Sequence, residues 1–215
     1  MDKEVHKQLE TFFSHYKPQT YRKGEIIIRA DEEPAGIYYL TKGTVKMYLI
    51  LEKGDEVVLT IFKPYSFFPM FCALNDIKNN YYFEAMTEVV LQKAPRQKVM
   101  TFLHKQPEVM WDLLARLYRG MDGILTRMAY LMSGNARTRL ITELLITAKR
   151  FGKQKAEGIA LAISEKDLGA QTGLTRETVS REIKVLKQEG LVTFTKNVLL
   201  LTDIKALEEV LHPGC

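Results

Sequence analysis

The sequence predicts an α+β chain in three parts: an N-terminal antiparallel β-roll, one long helix, and a C-terminal domain of short helices closed by a β-hairpin. Three patterns carry that reading. Alternation of period two, punctuated by glycine, runs from Gln19 to about Pro95; an apolar heptad runs from Met110 to Leu131; and helix, glycine turn, helix fills Ser164 to Gln188. The boundaries expected from them are 1–106, 107–134 and 135–215. A chain of 215 residues, 46% hydrophobic and 27% charged, is long enough for one large domain or two small ones, each with its own core.

In chain order, VHKQLETFFSHY is an amphipathic helix in front of the roll. The runs GEIIIRA, GIYYLTKG, TVKMYLILEKGDEVVLTIFKP and YYFEAMTEVVLQKAP then alternate, with Gly24, Gly36, Gly43 and Gly54 at the turns. They predict about eight antiparallel strands in a roll or barrel. Arg96 to Lys105 forms a short helix, and Pro107 suits the first turn of the next, which runs to about Ser133.

Along that long helix Met110, Leu114, Leu117, Met121, Ile124, Met128 and Leu131 are spaced alternately four and three residues apart. Such a stripe fits a helix lying on its own roll; its length and narrowness favour a two-stranded parallel coiled coil, hence a homodimer. Gly120 and Gly123 weaken the helix by about 1 kcal/mol each relative to alanine, and so mark a close approach.

Gly134 and Asn135 supply a stop and a new N-cap. The helix NARTRLITELLITAKRFG and a strand around GIALAI follow. Ser164 and Asp167 make a capping-box-like start for SEKDLGAQT, Gly173 breaks that helix, and Thr175 caps the next. This is the helix-turn-helix pattern, with Leu168, Gly169, Gly173, Leu174, Val179 and Ile183 as the wedge between the helices. LVTFT and NVLLLT flank Lys196 and Asn197 as a wing hairpin, and DIKALEEVL closes the domain as a helix.

On the second helix Val179, Ile183 and Leu186 form one apolar stripe, while Glu177, Arg181, Lys184 and Gln188 fall on the opposite side. A solvated face of (i, i+4) charge pairs is the plain account of such a strip. Joined to the glycine turn, caps and wedge, it points to double-stranded DNA. Arg176 and Glu177 occupy the first turn, the end a helix-turn-helix presents to base edges. Arginine donates bidentately to guanine O6 and N7, and glutamate accepts from cytosine N4. Thr175, Ser180, Lys184 and Lys187 suit phosphates, and Lys196 at the wing tip can rest on the backbone.

The net charge of +5 suits a polyanion but decides little by itself. Two distant cysteines, Cys72 and Cys215, provide no disulfide framework, and His6, His15, His104 and His212 are scattered, so no metal or other cofactor is expected. Cys72 reads as an inert buried thiol. No run approaches the roughly 18 apolar residues of a membrane span, and MDKEVHKQLE is charged where a signal peptide is apolar; no membrane association and a cytoplasmic location are expected. No paired carboxylates, nucleophile with base, or phosphate loop occurs at usable spacing, so an enzyme is not expected.

Taken together, TRETVSREIKVLKQEGLV and GIYYLTKGTVKMYLI resemble the recognition helix and the glycine-punctuated roll of the Crp/Fnr family of bacterial transcription regulators, and the resemblance covers nearly the whole chain. It implies a cyclic-nucleotide-binding-like jelly roll, a dimerisation helix and a winged helix-turn-helix. It further implies inverted-repeat operators bound by dimers, RNA polymerase as a partner, Arg176, Glu177 and Arg181 as base readers, and a half-site like the family's GTGA.

The sensor half departs from the nucleotide-binding members. Their phosphate cassette has Gly-Glu-Leu and then an Arg-Ser pair; in PYSFFPMFCALNDIKNNYYFEA the first falls on Pro69, Met70 and Phe71 and the second on Asn79 and Asn80. Burying a cyclic phosphate without the arginine or the backbone approach of glycine costs several kcal/mol. The hydroxyl residues that meet the base in those members correspond here to Ile124 and Leu125. Binding of cyclic AMP in the family's manner is therefore not expected. The expected effector pocket comprises Phe68, Pro69, Met70, Phe71, Asn79, Asn80, Ile124 and Leu125. It takes a different, neutral or hydrophobic small molecule, or is filled by Phe67, Phe68, Met70 and Phe71 so that none is needed, or signals through Cys72. A cyclic-nucleotide sensor with an altered cassette is the nearest alternative, and a ligand-binding module whose C-terminal part only meets proteins is the rival from another class.

Overall fold

A computed structural model gives the structure of the chain and describes residues 3–52, 54–75, 77–195 and 198–211. The chain divides into two compact units, 1–118 and 119–215.

In the first unit, helix α1 (Lys3–Phe13) precedes the strands β1 (Pro18–Tyr21), β2 (Ile26–Ile28), β3 (Ile37–Lys42), β4 (Val45–Ile50), β5 (Glu56–Phe62) and β6 (Phe67–Phe68). Helix α2 (Met70–Asn75), strands β7 (Tyr82–Ala85) and β8 (Val89–Ala94), helix α3 (Arg96–Lys105) and the start of helix α4 (Pro107–Ser133) follow. The strands form two antiparallel four-stranded sheets, ordered β1-β8-β3-β6 and β2-β7-β4-β5. Non-sequential neighbours in both sheets make this a jelly roll rather than a meander.

Strand β3 explains why the roll carries helices. Ile37, Tyr38, Tyr39 and Leu40 are all buried, because successive side chains enter different cores. Tyr38 and Leu40 join Ile28, Val45, Phe68, Phe83, Val89 and Leu91 between the sheets. Ile37 and Tyr39 point outward and are covered by Val5, Leu9 and Phe13 of α1 and Val99 and Leu103 of α3. Each such fully buried side chain contributes about 1.5–3 kcal/mol, so the flanking helices are part of the roll's stability.

Two elements escape the sequence reading. Helix α2 occupies Met70–Asn75, where only loop and strand are expected. It is a turn and a half long, too short to show a helical period. Strand β9 (Lys153–Lys155) is wholly exposed and so carries no alternation.

The second unit contains the end of α4, α5 (Ala136–Phe151), β9, β10 (Gly158–Leu161), α6 (Glu165–Thr172), α7 (Arg176–Gln188), β11 (Val192–Thr195), β12 (Val198–Leu201) and α8 (Ile204–Leu211). Its sheet is antiparallel, in the order β11-β12-β10-β9. The core joins Leu140, Ile141 and Leu144 of α5 to Leu168, Val179, Ile183, Leu186, Leu199, Leu201 and Leu207. Asn135 caps α5, its side chain accepting from the Thr138 amide. No described helix is long and apolar enough to cross a membrane.

Candidate nucleic-acid interface

Helices α6 and α7 are set by caps and close approaches. Ser164 and Asp167 form a reciprocal capping box, with the Asp167 amide donating to Ser164 Oγ at 3.1 Å. Gly173 ends α6 in the left-handed conformation, φ 64°, where a Cβ is unfavourable. Gly169 lies where α6 meets the turn: a Cβ there would stand 2.8 Å from the Leu174 carbonyl oxygen. Thr175 then caps α7 by accepting from the Thr178 amide at 3.2 Å.

On α7, Val179, Ile183 and Leu186 are buried. Thr175, Arg176, Glu177, Ser180, Arg181, Lys184, Lys187 and Gln188 are all exposed. The Arg176 and Arg181 side chains are 73% and 71% exposed, with loose ion pairs among the described residues, 3.6 Å to Glu165 and 3.9 Å to Glu182. The Glu177 carboxyl is held below its ordinary range by its own backbone N–H and by Thr175 at the helix start, with Arg176 adding a smaller pull. Glu177 is thus an acceptor at neutral pH. Lys196, expected at the wing tip, lies outside the described residues.

Two arginines of α5 anchor this pair of helices, and the sequence reading did not find them. Arg139 Nη2 donates to the carbonyls of Thr172 and Gly173, satisfying the open end of α6. Arg137 grips Glu189, just past α7, with Nη1 2.9 Å from Oε1. The Arg137 guanidinium in turn holds the Glu189 carboxyl below its usual range. Both contacts span more than thirty residues, so no local spacing announces them.

A third arginine ties α4 to α5. Arg127 donates from Nε and Nη2 to the two oxygens of Glu143, at 2.7 and 2.9 Å. The Thr147 hydroxyl donates to the same carboxylate at 3.4 Å. Glu143 is buried, and its burial pushes the carboxyl upward despite the arginine.

Of the heptad on α4, Met110 packs partly against the core of the first unit. Leu114, Leu117, Met121, Ile124, Met128 and Leu131 are between 37% and 58% exposed. A Cβ at Gly120 or Gly123 would meet nothing within 4 Å, so the close approach expected there is not made by this chain's own described residues.

The residues expected around an effector divide between the units. Ile124 and Leu125 are exposed on α4 in the second. In the first, Phe68 is fully buried between the sheets, stacked on Phe83 at 5.2 Å and Tyr38 at 5.6 Å. Asn79 is also buried; its amide donates to the carbonyls of Arg29 and Tyr81 and accepts from the Tyr81 amide. Pro69 is buried, Met70 packs toward α1 and α3, Phe71 sets its ring edge-on to Tyr81, and Asn80 is exposed. Phe68 thus packs in the interface between the sheets, and both amide protons of Asn79 donate to backbone carbonyls. Cys72 is free and buried, and its burial raises the thiol. Among the described residues no group of three or more His, Cys, Asp or Glu is placed to hold a metal.

Comparison with known proteins falls along the same divisions. Residues 18–106 match the cyclic nucleotide-binding domain family, and residues 138–210 match the Crp-like helix-turn-helix domain family. The chain is 30% identical over 189 residues to the transcriptional regulator LdrP of Thermus thermophilus, an alignment covering 87% of this chain and 92% of that protein. It is 25% identical to the cAMP-activated global transcriptional regulator CRP of Pasteurella multocida, covering 86% and 90% of the two chains. Among solved structures, a CRP-family transcriptional regulator from Thermus thermophilus superposes with a TM-score of 0.74 at 26% identity, over 90% of this chain and 96% of the other.

Proposed function

Since the chain belongs to the Crp/Fnr family of transcription regulators, we propose that it is a homodimer that reads an inverted-repeat DNA operator, with α7 of each copy in the major groove. The observation that carries this is the division of α7: one face is locked into the core, and the other presents Thr175, Arg176, Glu177, Ser180, Arg181 and Lys184 as exposed residues. Arg176 and Arg181 donate to guanine O6 and N7, and the ionised Glu177 accepts from cytosine N4. Thr175, Ser180, Lys184 and the wing's Lys196 hold phosphates and set register. Arg137 and Arg139 aim α7 without touching DNA. In this reading 1–106 is the sensor, 107–134 the dimer helix and 135–215 the DNA-binding domain, acting in the cytoplasm with RNA polymerase as protein partner.

Control of activity runs through the roll, and an effector works only by binding one arrangement of the dimer better than another. The relative from Pasteurella is, by its name, activated by cAMP. In this chain Pro69, Met70, Phe71, Asn79 and Asn80 supply no cation for a cyclic phosphate, and the Asn79 amide is committed to backbone. We infer an effector other than cAMP, neutral or hydrophobic, or none. The cyclic nucleotide-binding match keeps a sensor with an altered cassette as the second reading; calorimetric heat from cyclic AMP or cyclic GMP at micromolar concentration would establish it.

The main test is selection of bound sites from a random duplex pool at low and high salt. The expected result is an inverted repeat of G·C-containing half-sites, centred about 34 Å apart, with a steep loss of binding as salt rises. Binding with no enriched repeat, or no binding at low salt, would overturn the proposal.

A further inference from the structure

Glu165 is the first residue of α6, and α6 meets the turn into α7 at Gly169, where a Cβ would stand 2.8 Å from the Leu174 carbonyl oxygen and 3.9 Å from the Arg176 nitrogen. Glu165 lies four residues before Gly169, one turn back on the same face of the helix. It therefore reaches the first residue of α7: its Oε2 stands 3.6 Å from Arg176 Nε. The carboxylate is the better-held partner, 26% exposed against 73% for the arginine. The neighbouring carboxylates are engaged elsewhere. Asp167 closes the capping box with Ser164, and Glu177 is held by Thr175 and by its own backbone N–H.

In water a pair this loose adds little to stability. Beside duplex DNA the carboxylate is unfavourable in itself, because it adds to the negative field of the phosphates. What it changes is the way Arg176 presents its donors. A guanidinium can meet guanine side-on, through Nε and one Nη, or end-on, through both Nη groups. A carboxylate at Nε removes the first mode and leaves both Nη groups for O6 and N7. It also orders the side chain before DNA arrives, so less rotamer freedom is lost on binding. Resting on the DNA-reading proposal, we propose that Glu165 is a positioning residue for base recognition: it holds Arg176 by Nε, directs the Nη fork end-on to one guanine, and sharpens specificity at that base pair without touching DNA. The same carboxylate loosens the grip on every other sequence. Its removal therefore acts in opposite directions on right and wrong sequences, a signature that neither a folding defect nor a lost phosphate contact produces.

The test is Glu165→Gln in the full-length chain, which keeps side-chain length and leaves the capping box to Ser164 and Asp167. Native protein, Glu165→Gln, Arg176→Ala and the double variant are titrated on the selected operator, on operators substituted one base pair at a time, and on random duplex. Glu165→Gln should weaken operator binding about five-fold while leaving random duplex unchanged or tightening it up to about two-fold. Its base preference should relax at the same pair as that of Arg176→Ala. In the Arg176→Ala background the change should no longer weaken the operator. Glu165→Gln that binds the operator as tightly as native protein, equal losses on operator and random duplex, the same loss without Arg176, or an Arg176→Ala variant that keeps the native base preference would overturn the positioning role and leave the DNA-reading proposal standing. A native protein that prefers no sequence would overturn that proposal, and this inference with it.

Discussion

Arg181 and Lys184 stand one turn apart on the open face of α7, yet the proposed function gives them separable jobs. The guanidinium forms a planar fork that matches guanine, whereas the ammonium is a mobile point charge that any phosphate satisfies. Arg181→Ala should cost about 1–3 kcal/mol on the selected operator and little on random duplex. Lys184→Ala should weaken both alike and reduce the salt slope by about one. Anisotropy titrations of both duplexes at several salt concentrations separate the two; equal losses for Arg181→Ala on both would refute its role as a base reader. Gly169 tests the turn rather than the contact. A methyl group there meets the Leu174 carbonyl oxygen at 2.8 Å, and overpacking of this kind costs about 1–3 kcal/mol. Gly169→Ala should lower the melting temperature and weaken operator binding together. These residues were legible in the sequence because caps, glycines and stripes act within one or two turns. Arg137 and Arg139 were not, since their partners are folded in from far along the chain.

At the scale of elements, the α4–α5 junction is held by the bidentate Arg127–Glu143 pair, with Glu143 2% exposed. Removing one partner of a buried pair leaves an uncompensated charge and costs about 3–5 kcal/mol, whereas replacing both by apolar groups is often close to neutral. Arg127→Leu, which leaves the Glu143 carboxyl buried without its bidentate donor, should therefore lower the denaturation midpoint far more than Arg127→Leu/Glu143→Leu, as read by urea unfolding of the full chain. A double variant as unstable as the single would show that the hydrogen-bonded geometry, not the stranded charge, carries the energy. In the sequence Glu143 is one polar residue within the expected helix NARTRLITELLITAKRFG, and nothing in its spacing marks it as buried. The boundaries of α3, α4 and α7 were legible for the opposite reason: proline, asparagine, threonine and glycine act locally at their ends. Helix α2 is too short for a period to register, and strand β9 lacks an apolar face.

At the scale of the whole molecule, the proposed pairing of two chains is the part most legible in the sequence. A narrow heptad and two glycines with open space around them are what the proposed dimer would use, and six of the seven heptad residues remain at least 37% exposed. Met110, at the end nearest the roll, packs partly against the core of its own chain. The effector is not legible, because a cluster such as Phe67, Phe68, Met70 and Phe71 has the same composition whether it fills a core or lines a cleft, and only placement separates the two. On the proposed reading the dimer converts two weak half-site contacts into one strong one, which makes operator geometry the decisive measurement. Ile124→Asp places two carboxylates face to face in the seam, where desolvation and like charge act together. The variant should sediment as a folded monomer and lose most of its affinity for the full operator while retaining that for a single half-site. Native protein should fail to bind when the half-sites are moved apart by about five base pairs, half a turn of the duplex, because the second recognition helix then faces the wrong side. Ile124→Asp should be indifferent to that change. A variant that stays dimeric, or a native protein equally indifferent to spacing, would mean that the two DNA-binding domains are not held in register by α4.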